Sequence, residues 1–304
     1  MTLNTLMVST FQNIYETENP RHCPILEVLN EMRAPGDELK NRIKAIREAK
    51  SPAEQDRLKV MLLPVLCPSG TFTKRSDAGI LDYSGIICLD LDDTLDLKGI
   101  KAQAKSFPYS LAAMVSPTGK GVKVFVLTDL RGASASRHSD LYHHLGDIMG
   151  FKKRLDLEFD PSCSNPSRAC FFTYDPGMWI NPDVVPFHVD LDTLPVYTPA
   201  TKTATASTKK RTDIAIDTPV FPTPLTEQKE IQDAIVETHT LFEEYYPMYQ
   251  GVRNNNLYIL AFFFRLEGIP EDVATDYLLA YYLDPLGGFS VEEIKRTVKS
   301  AYTR

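Results

Sequence analysis

Residues 84–94, SGIICLDLDDT, are the part of the sequence that most restricts the fold. The apolar run predicts a buried strand that ends in Asp90 and Asp92, with Leu91 between them. Because alternate side chains of a strand share a face, the two carboxylates lie together and Leu91 faces the core. Carboxylates at this spacing suit Mg²⁺ or Mn²⁺, so the strand end is interpreted as a metal site. The alternative is an Asp-rich turn that caps a following helix.

A second acidic strand is predicted at residues 155–160, LDLEFD. Asp156, Glu158 and Asp160 alternate there with apolar residues, so one face of the strand is acidic, which is unfavourable unless a cation or solvent meets it. Asp160 is chosen as the third metal ligand because it stands at the strand end, next to a loop. Solvated acids on an edge strand are the alternative.

Between these strands, residues 114–126 read MVSPTGKGVKVFV, a turn followed by a strand. The glycines allow backbone amides to approach phosphate oxygens, and the hydroxyl and lysines add a donor and positive charge. The nucleotide-binding candidates in this turn are Ser116, Gly119, Lys120, Gly121 and Lys123. Met114 stands where a Walker A loop requires glycine. An ordinary hairpin is the alternative.

Arg168 opens the predicted strand RACFF after the loop PSCSNPS. A guanidinium can bind phosphate through two parallel hydrogen bonds, so Arg168 joins the nucleotide-binding candidates. An ion pair with Asp160 or Glu158 is the alternative.

The pattern of elements predicts an α+β protein with two domains. Residues 1–197 alternate short apolar runs with helical patterns, which indicates a mixed α/β domain. Residues 198–225 read as a linker, because 199–212 contain no aromatic residue, Leu, Ile or Val. Residues 226–304 repeat apolar positions at helical spacing and predict a small all-α C-terminal domain.

Individual elements follow from the same patterns. Ser51 and Ser290 are each followed three residues later by Glu, which is the capping-box signature of a helix start. Strands are predicted at 6–11, 61–66, 85–91, 111–115, 122–128 and 169–174, and helices of the N-terminal domain at 37–50, 51–59, 97–106 and 137–149.

Composition excludes several classes of protein. The chain has 304 residues and a net charge of −7, so it is no polybasic nucleic-acid coat. No apolar run reaches the roughly 18–20 residues that cross a bilayer, and the start lacks a basic n-region, so we expect a cytoplasmic protein without a membrane partner. Five scattered cysteines without a CxxC pair, and histidines at 138, 143 and 144 without an H-x-x-x-H pair, support neither a disulfide framework nor zinc.

The motifs in their order resemble a known superfamily. DLD at 90–92, SPTGKGVK at 116–123 and Asp160 resemble the three motifs of the archaeo-eukaryotic primase, or primase–polymerase, superfamily. Residues 1–190 are similar to the N-terminal domain of virulence-associated protein E-type replication proteins. Residues 251–304, GVRNNN to SAYTR, are similar to the helical primase C-terminal module.

This resemblance implies a primase–polymerase-like (RRM-like) fold and two-metal nucleotidyl transfer in the DNA replication of a mobile element or phage-type replicon. Asp90, Asp92 and Asp160 would be catalytic and hold two Mg²⁺ or Mn²⁺ ions. The implied partners are a nucleoside triphosphate, single-stranded or primed DNA, which Arg253 would contact, and a separate replicative helicase. Lys123 departs from the motif, which usually has His there.

Two other functions stay open. The first is a degenerate primase fold that binds nucleotide or DNA without polymerisation, which the Lys123 departure favours. The second is a haloacid dehalogenase-type phosphatase, because ICLDLDDTL resembles its first motif. Asp90 would then be the nucleophile, Asp92 the general acid and Ser116 the second-motif residue, but no later GDxxxD or DD completes that site.

Overall fold

The computed structural model describes residues 3–92, 94–151, 164–197, 221–246, 248, 253–283 and 288–303. The chain forms two compact units, Met1–Ser207 and Thr208–Arg304. The predicted acidic strand 155–160 lies outside the described residues, and so does the predicted linker 198–225 as far as residue 220. Among the described residues, no helix is long and apolar enough to span a membrane.

The first unit combines antiparallel sheets with helices. Its strands are β1 (Met7–Phe11), β2 (Arg21–Pro24), β3 (Val65–Cys67), β4 (Gly70–Phe72), β5 (Ile80–Tyr83), β6 (Ile86–Leu91), β7 (Ser110–Val115), β8 (Val122–Leu127), β9 (Cys170–Phe171) and β10 (Trp179–Ile180). Its α-helices are α1 (Ile25–Arg33), α2 (Asp37–Glu48), α3 (Pro52–Leu62), α4 (Leu97–Lys105) and α5 (His138–Ile148). The described strands form sheets in the orders β2-β1-β3-β9, β10-β7-β8-β6 and β4-β5, with antiparallel neighbours throughout.

Strands β6, β7 and β8 of the sheet β10-β7-β8-β6 are buried on both faces, as their nearly continuous apolar sequences lead us to expect, and β10 at the edge is half-buried. One face packs against α4 and α5, and it includes Leu89 and Leu91 of β6. The other face packs against α1 and against Cys170 of β9 in the first sheet. The prediction that Leu91 faces the core is therefore confirmed, and Asp90 lies on the face towards the first sheet.

The predicted strand 61–66 is wrong in its first half, because α3 continues to Leu62 before β3 begins at Val65. Ser51 accepts a hydrogen bond from the amide of Glu54 at 3.1 Å, so the predicted cap at the start of this helix is confirmed. Helix α3 ends at Leu62 because Pro64 disfavours helical geometry at Leu63, the residue before it.

The side chain of Asp175 connects three segments of the first unit. It accepts hydrogen bonds from the Lys101 ammonium at 2.7 Å, from the Val115 amide at 2.8 Å and from the Gly177 amide at 2.9 Å. Lys101 lies in α4 and Val115 ends β7, while Gly177 precedes β10. This carboxylate is buried, with 8 % of its side chain exposed, and it joins a helix, a strand and the turn before β10.

The described part of the second unit is helical, so the protein is α+β with a small all-α C-terminal unit. Its helices are α6 (Gln228–Tyr245), α7 (Arg253–Leu266), α8 (Glu271–Tyr282) and α9 (Val291–Thr303). The predicted capping box is confirmed: the Glu293 amide donates to Ser290 Oγ at 3.2 Å, and the Ser290 amide donates to Glu293 Oε2 at 2.9 Å. Buried Ile294, Val298 and Ala301 then form the apolar stripe of α9.

Candidate functional site

An ion pair between Asp90 and Lys123 occupies the centre of the candidate site. The antiparallel register of β6 and β8 places these two residues opposite each other. The Lys123 ammonium donates to Oδ2 of Asp90, and only 12 % of the Asp90 side chain and 10 % of the Lys123 side chain are exposed. A predicted metal ligand thus contacts a predicted phosphate-binding cation directly.

The ion pair and Arg168 line a small cleft with a free volume of about 10 Å³, which has room for about one water molecule. The cleft is lined by Pro68, Ser69, Cys88, Asp90, Lys123, His138, Asn165, Arg168, Ala169 and Cys170. Two hydrogen bonds hold the loop before Arg168 in place. The Ser167 amide donates to Asp77 Oδ1 at 2.9 Å, and the Arg168 amide donates to the Asn165 carbonyl at 3.1 Å. The structure therefore brings together Asp90, Lys123 and Arg168, which the sequence offers in three separate motifs.

Asp92 follows the end of β6 and is positioned by the glycine turn. A Cβ atom at Gly121 would lie 2.8 Å from the Leu91 carbonyl oxygen and 3.3 Å from Cα of Asp92. Only glycine allows this close approach of the two backbones. The Thr94 amide also donates to the Lys120 carbonyl at 2.8 Å. The turn thus supports the chain that carries Asp92.

Other polar groups of the turn are bonded within the protein. Ser116 Oγ accepts from the Gly121 amide at 3.0 Å and lies 3.1 Å from the Thr118 hydroxyl. The Lys120 ammonium donates to Gln55 Oε1 of α3 at 3.0 Å. Neither Ser116 nor Lys120 is among the described residues that line the cleft. Their role in nucleotide binding stays a prediction.

Arg47 of α2 forms hydrogen bonds with the backbone of the same turn. Its guanidinium donates to the carbonyls of Pro117 at 3.2 Å and Ser116 at 3.4 Å, and to the carbonyl of Tyr174 at 2.9 Å. Gly119, another predicted nucleotide-binding residue, takes a φ of 77°, in the left-handed region that favours glycine, and does not line the cleft. Its conformational freedom is used to close the hairpin.

Of the predicted site residues that the structure describes in the first unit, Asp90, Lys123 and Arg168 line the cleft, and Asp92, Ser116, Gly119, Lys120 and Gly121 do not. Asp160 lies outside the described residues, and among those that are described there is no group of three or more His, Cys, Asp or Glu arranged to hold a metal. Arg253 begins α7 in the second unit, where its guanidinium carbon lies 5.1 Å from the centre of the Phe289 ring.

Sequence reasoning missed His138, which lines the cleft at the start of α5. Its Nδ1 lies 2.8 Å from the Tyr83 hydroxyl, and burial lowers the pKa of the ring to about 4. His138 is therefore neutral near pH 7. No motif spacing marks this residue, because its position depends on packing against β5, which is distant in the sequence.

Two cysteines also line the cleft, on strands from different sheets. The thiols of Cys88 and Cys170 are near enough to shift each other's pKa. The interaction with Cys88 and the nearby Lys123 ammonium lower the pKa of Cys170, while the interaction with Cys170 and burial raise the pKa of Cys88. Neither forms a disulfide here.

The chemistry of the site fits a divalent cation in part. Mg²⁺ is commonly held by one or two carboxylates, with phosphates and waters completing its shell, and Asp90 and Asp92 offer that number. A cation at Asp90 would have to replace the Lys123 ammonium, which already neutralises the carboxylate.

Comparison with known proteins gives one family match and one structural match. Residues 57–179 match the model of a family described as BT4734-like, N-terminal domain. This stretch contains every residue of the cleft but covers less than half of the chain. No curated protein matches the sequence. A solved structure titled "Crystal structure of primase RepB'" is 11 % identical, and the match covers 98 % of this chain and 89 % of that chain with a TM-score of 0.27. A TM-score this low does not establish a shared fold.

Proposed function

We propose that the first unit is an RRM-like primase–polymerase domain that binds a nucleoside triphosphate with Mg²⁺ or Mn²⁺ and performs nucleotidyl transfer on DNA. The observation that carries the proposal is the meeting of Asp90, Lys123 and Arg168 in one cleft. The order of their motifs along the chain supports it, because it resembles that of replication proteins from mobile elements and phage-type replicons.

In this proposal the carboxylates and the cations have separate roles. Asp90 and Asp92, with Asp160, would hold the divalent ions, which lower the pKa of an attacking 3′-hydroxyl and neutralise the triphosphate. Arg168 and Lys123 would bind phosphate oxygens. Arg168 can do so through two parallel hydrogen bonds, whereas Lys123 acts as a point charge.

In this proposal the Asp90–Lys123 ion pair would make metal and phosphate binding interdependent. A cation at Asp90 would release the Lys123 ammonium, and a phosphate at Lys123 would release the Asp90 carboxylate. Removing one partner of a buried pair leaves an uncompensated charge, which is costly. We therefore expect the nucleotide to bind more tightly with Mn²⁺ than without it, and Mn²⁺ alone to bind weakly.

A second function is favoured by the same ion pair: nucleotide binding without transfer. Lys123 neutralises the carboxylate on which metal binding at Asp90 depends, and an ammonium cannot reproduce the hydrogen bonding of the imidazole that the resembling enzymes carry there. The protein would then bind the nucleotide without transferring it to DNA.

For the second unit we propose contact with template or primer DNA. Arg253 at the start of α7 is the candidate phosphate contact, and a separate replicative helicase is the proposed protein partner. Because the whole chain carries a net charge of −7, such binding has to be local.

The test measures binding and turnover in the full-length protein. Labelled dATP and ATP are titrated with and without Mn²⁺, followed by primer synthesis and extension on single-stranded and primed DNA and by phosphate release from a generic phosphatase substrate. Asp92→Asn is compared with Asp82→Asn, a matched change at an exposed acid of β5, and the fold of each variant is checked by circular dichroism.

Incorporation that is lost in Asp92→Asn and kept in Asp82→Asn supports nucleotidyl transfer. Mn²⁺-dependent nucleotide binding without incorporation supports the binding function. Phosphate release without incorporation supports the phosphatase. Nucleotide binding that is the same with and without Mn²⁺, and the same in Asp92→Asn as in the wild type, contradicts the proposed site.

A further inference from the structure

The helices of the second unit differ strongly in charge. Helix α6 contains five acidic residues and one lysine, and α8 contains three acidic residues and no basic one. Helix α7 contains two arginines and no acidic residue. Helix α9 contains three cations, Lys295, Arg296 and Lys299, which follow the two acidic residues of its first turn. The described basic residues are therefore concentrated on α7 and α9.

Helices α7 and α9 lie side by side. At one end, the guanidinium carbon of Arg253 lies 5.1 Å from the centre of the Phe289 ring, just before α9 begins. At the other end, the Arg265 guanidinium donates to the Ala301 carbonyl of α9 at 2.9 Å. The two helices thus run in the same direction. Arg265 is engaged within the unit, whereas the three cations of α9 are exposed.

The three cations of α9 share one exposed side of the helix, which we call the basic face. Residues three and four positions apart lie on the same side of a helix, and the buried Ile294 and Val298 lie on the other side. Among the described residues, no salt bridge or hydrogen bond engages the side chains of Lys295, Arg296 or Lys299. Like charges four residues apart repel each other, so an anion bound between Lys295 and Lys299 would relieve this repulsion.

We propose that the basic face of α9 binds the phosphate backbone of single-stranded DNA. The inference rests on the proposed function and extends the DNA contact of the second unit from Arg253 to a surface. Arg296 can hold a phosphate through two parallel hydrogen bonds, whereas the two lysines act as point charges. Because α6 and α8 are acidic, they repel the same strand, and this orients α9 towards it.

The experiment follows the anisotropy of a fluorescein-labelled oligothymidylate of about 20 nucleotides as full-length protein is added, between about 50 and 200 mM NaCl. Neither nucleotide nor divalent metal is present. Lys295→Gln/Lys299→Gln is compared with Lys44→Gln/Lys229→Gln, which removes the same charge from exposed lysines of α2 and α6. Circular dichroism checks that each variant is folded.

The salt dependence of binding should separate the two variants. Each phosphate contact on a single strand contributes about 0.7 to the slope of log affinity against log salt, so Lys295→Gln/Lys299→Gln should reduce the slope by about 1.4. The Lys44→Gln/Lys229→Gln control should keep the wild-type slope. Lys295→Arg/Lys299→Arg retains both charges and should keep it as well. Phosphate contacts carry no sequence information, so an oligonucleotide of mixed sequence should give the same result.

Several outcomes would overturn the proposal: no binding of the oligonucleotide by the wild type, a wild-type slope in Lys295→Gln/Lys299→Gln, or equal losses in the two Gln variants. Stronger binding of poly-L-glutamate than of the oligonucleotide would indicate an acidic protein partner and would also overturn it. Mn²⁺-dependent nucleotide binding at the cleft is measured separately on the same variants. The basic face can therefore fail while the cleft still binds nucleotide, and the cleft can fail while salt-dependent DNA binding persists.

Discussion

Lys123 and Asp90 form an ion pair in which both side chains are largely buried. A substitution of either residue should therefore change the stability of the fold. We expect Lys123→Met to lower the free energy of unfolding by about 3 kcal/mol, because it leaves the Asp90 carboxylate buried without its counter-ion. The Lys123→Met/Asp90→Asn double variant should lose less than the sum of the single changes. Urea denaturation measures both.

A surface lysine provides the control for this prediction. Lys44 pairs with Glu48 at 4.0 Å, and both side chains are about two-thirds exposed. Exposed pairs contribute little, so Lys44→Met should leave the urea midpoint nearly unchanged. Equal effects of Lys44→Met and Lys123→Met would mean that the Asp90 pair is as well solvated as a surface pair.

The structure also changes one expectation that follows from the sequence. Two adjacent carboxylates repel each other, so the sequence suggests that Asp90→Ala with Asp92→Ala would leave folding intact. Because Asp90 neutralises a buried ammonium, that double variant would leave Lys123 uncompensated. A binding test on it is therefore meaningful only beside a stability measurement.

His138 should make stability depend on pH. The pKa of the folded ring is about 4, and that of an unfolded histidine is about 6.5, so the unfolded chain binds the proton more readily between these values. The free energy of unfolding should therefore fall as the pH drops from about 6.5 to 4, by up to about 3 kcal/mol, and change no further from this group below pH 4. Urea denaturation of wild type and His138→Phe across this range isolates the contribution. Identical slopes for the two proteins would show that His138 is not the titrating group.

At the element scale, the glycine turn and the end of β6 depend on each other. Gly121→Ala would put a Cβ atom 2.8 Å from the Leu91 carbonyl, so the strand end has to shift. We expect a loss of about 1–3 kcal/mol in the free energy of unfolding and weaker Mn²⁺-dependent nucleotide binding. At Gly36, by contrast, an added Cβ meets no atom within 4 Å, and Gly36→Ala should have little effect on binding. Equal loss of binding in both variants would contradict the coupling.

The same elements show what the sequence could predict. Strands β6, β7 and β8 agree with their predicted positions within one residue at each end, because strongly apolar runs between turns have few alternatives. The apolar positions of α1, Ile25, Val28, Leu29 and Met32, follow helical spacing and could have been recognised, but this helix was missed. Short strands such as β4 and β10 carry too few residues to show a period.

The sequence could predict the individual residues of the candidate site but not the contacts between them. Asp90, Lys123 and Arg168 each stand out by residue type and local context, and the structure places them in one cleft. That Lys123 neutralises Asp90 depends on the register of β6 against β8, which local patterns do not specify. That Cys88 and Cys170 line the same cleft depends on how two sheets pack, and no local sequence pattern indicates it.

At the scale of the whole molecule, the two units should separate under mild proteolysis. The composition of residues 199–212 predicts a linker, and it contains trypsin sites at Lys209, Lys210 and Arg211. We expect the earliest tryptic cuts there, giving two fragments identified by their masses. Lys98, exposed but within α4, is the internal comparison and should be cut later. First cleavage at Lys98 would contradict the predicted boundary.

Asp175 has a consequence for how the first unit opens. One carboxylate accepts hydrogen bonds from the amides of Val115 and Gly177, so loss of this group from its place exposes both amides in a single event. After correction for their intrinsic exchange rates, the two amides should therefore give one free energy of opening with one dependence on denaturant, although they are 62 positions apart in the sequence. The Lys101 ammonium would lose its counter-charge at the same moment, which makes this opening cooperative across a helix, a strand and the turn before β10.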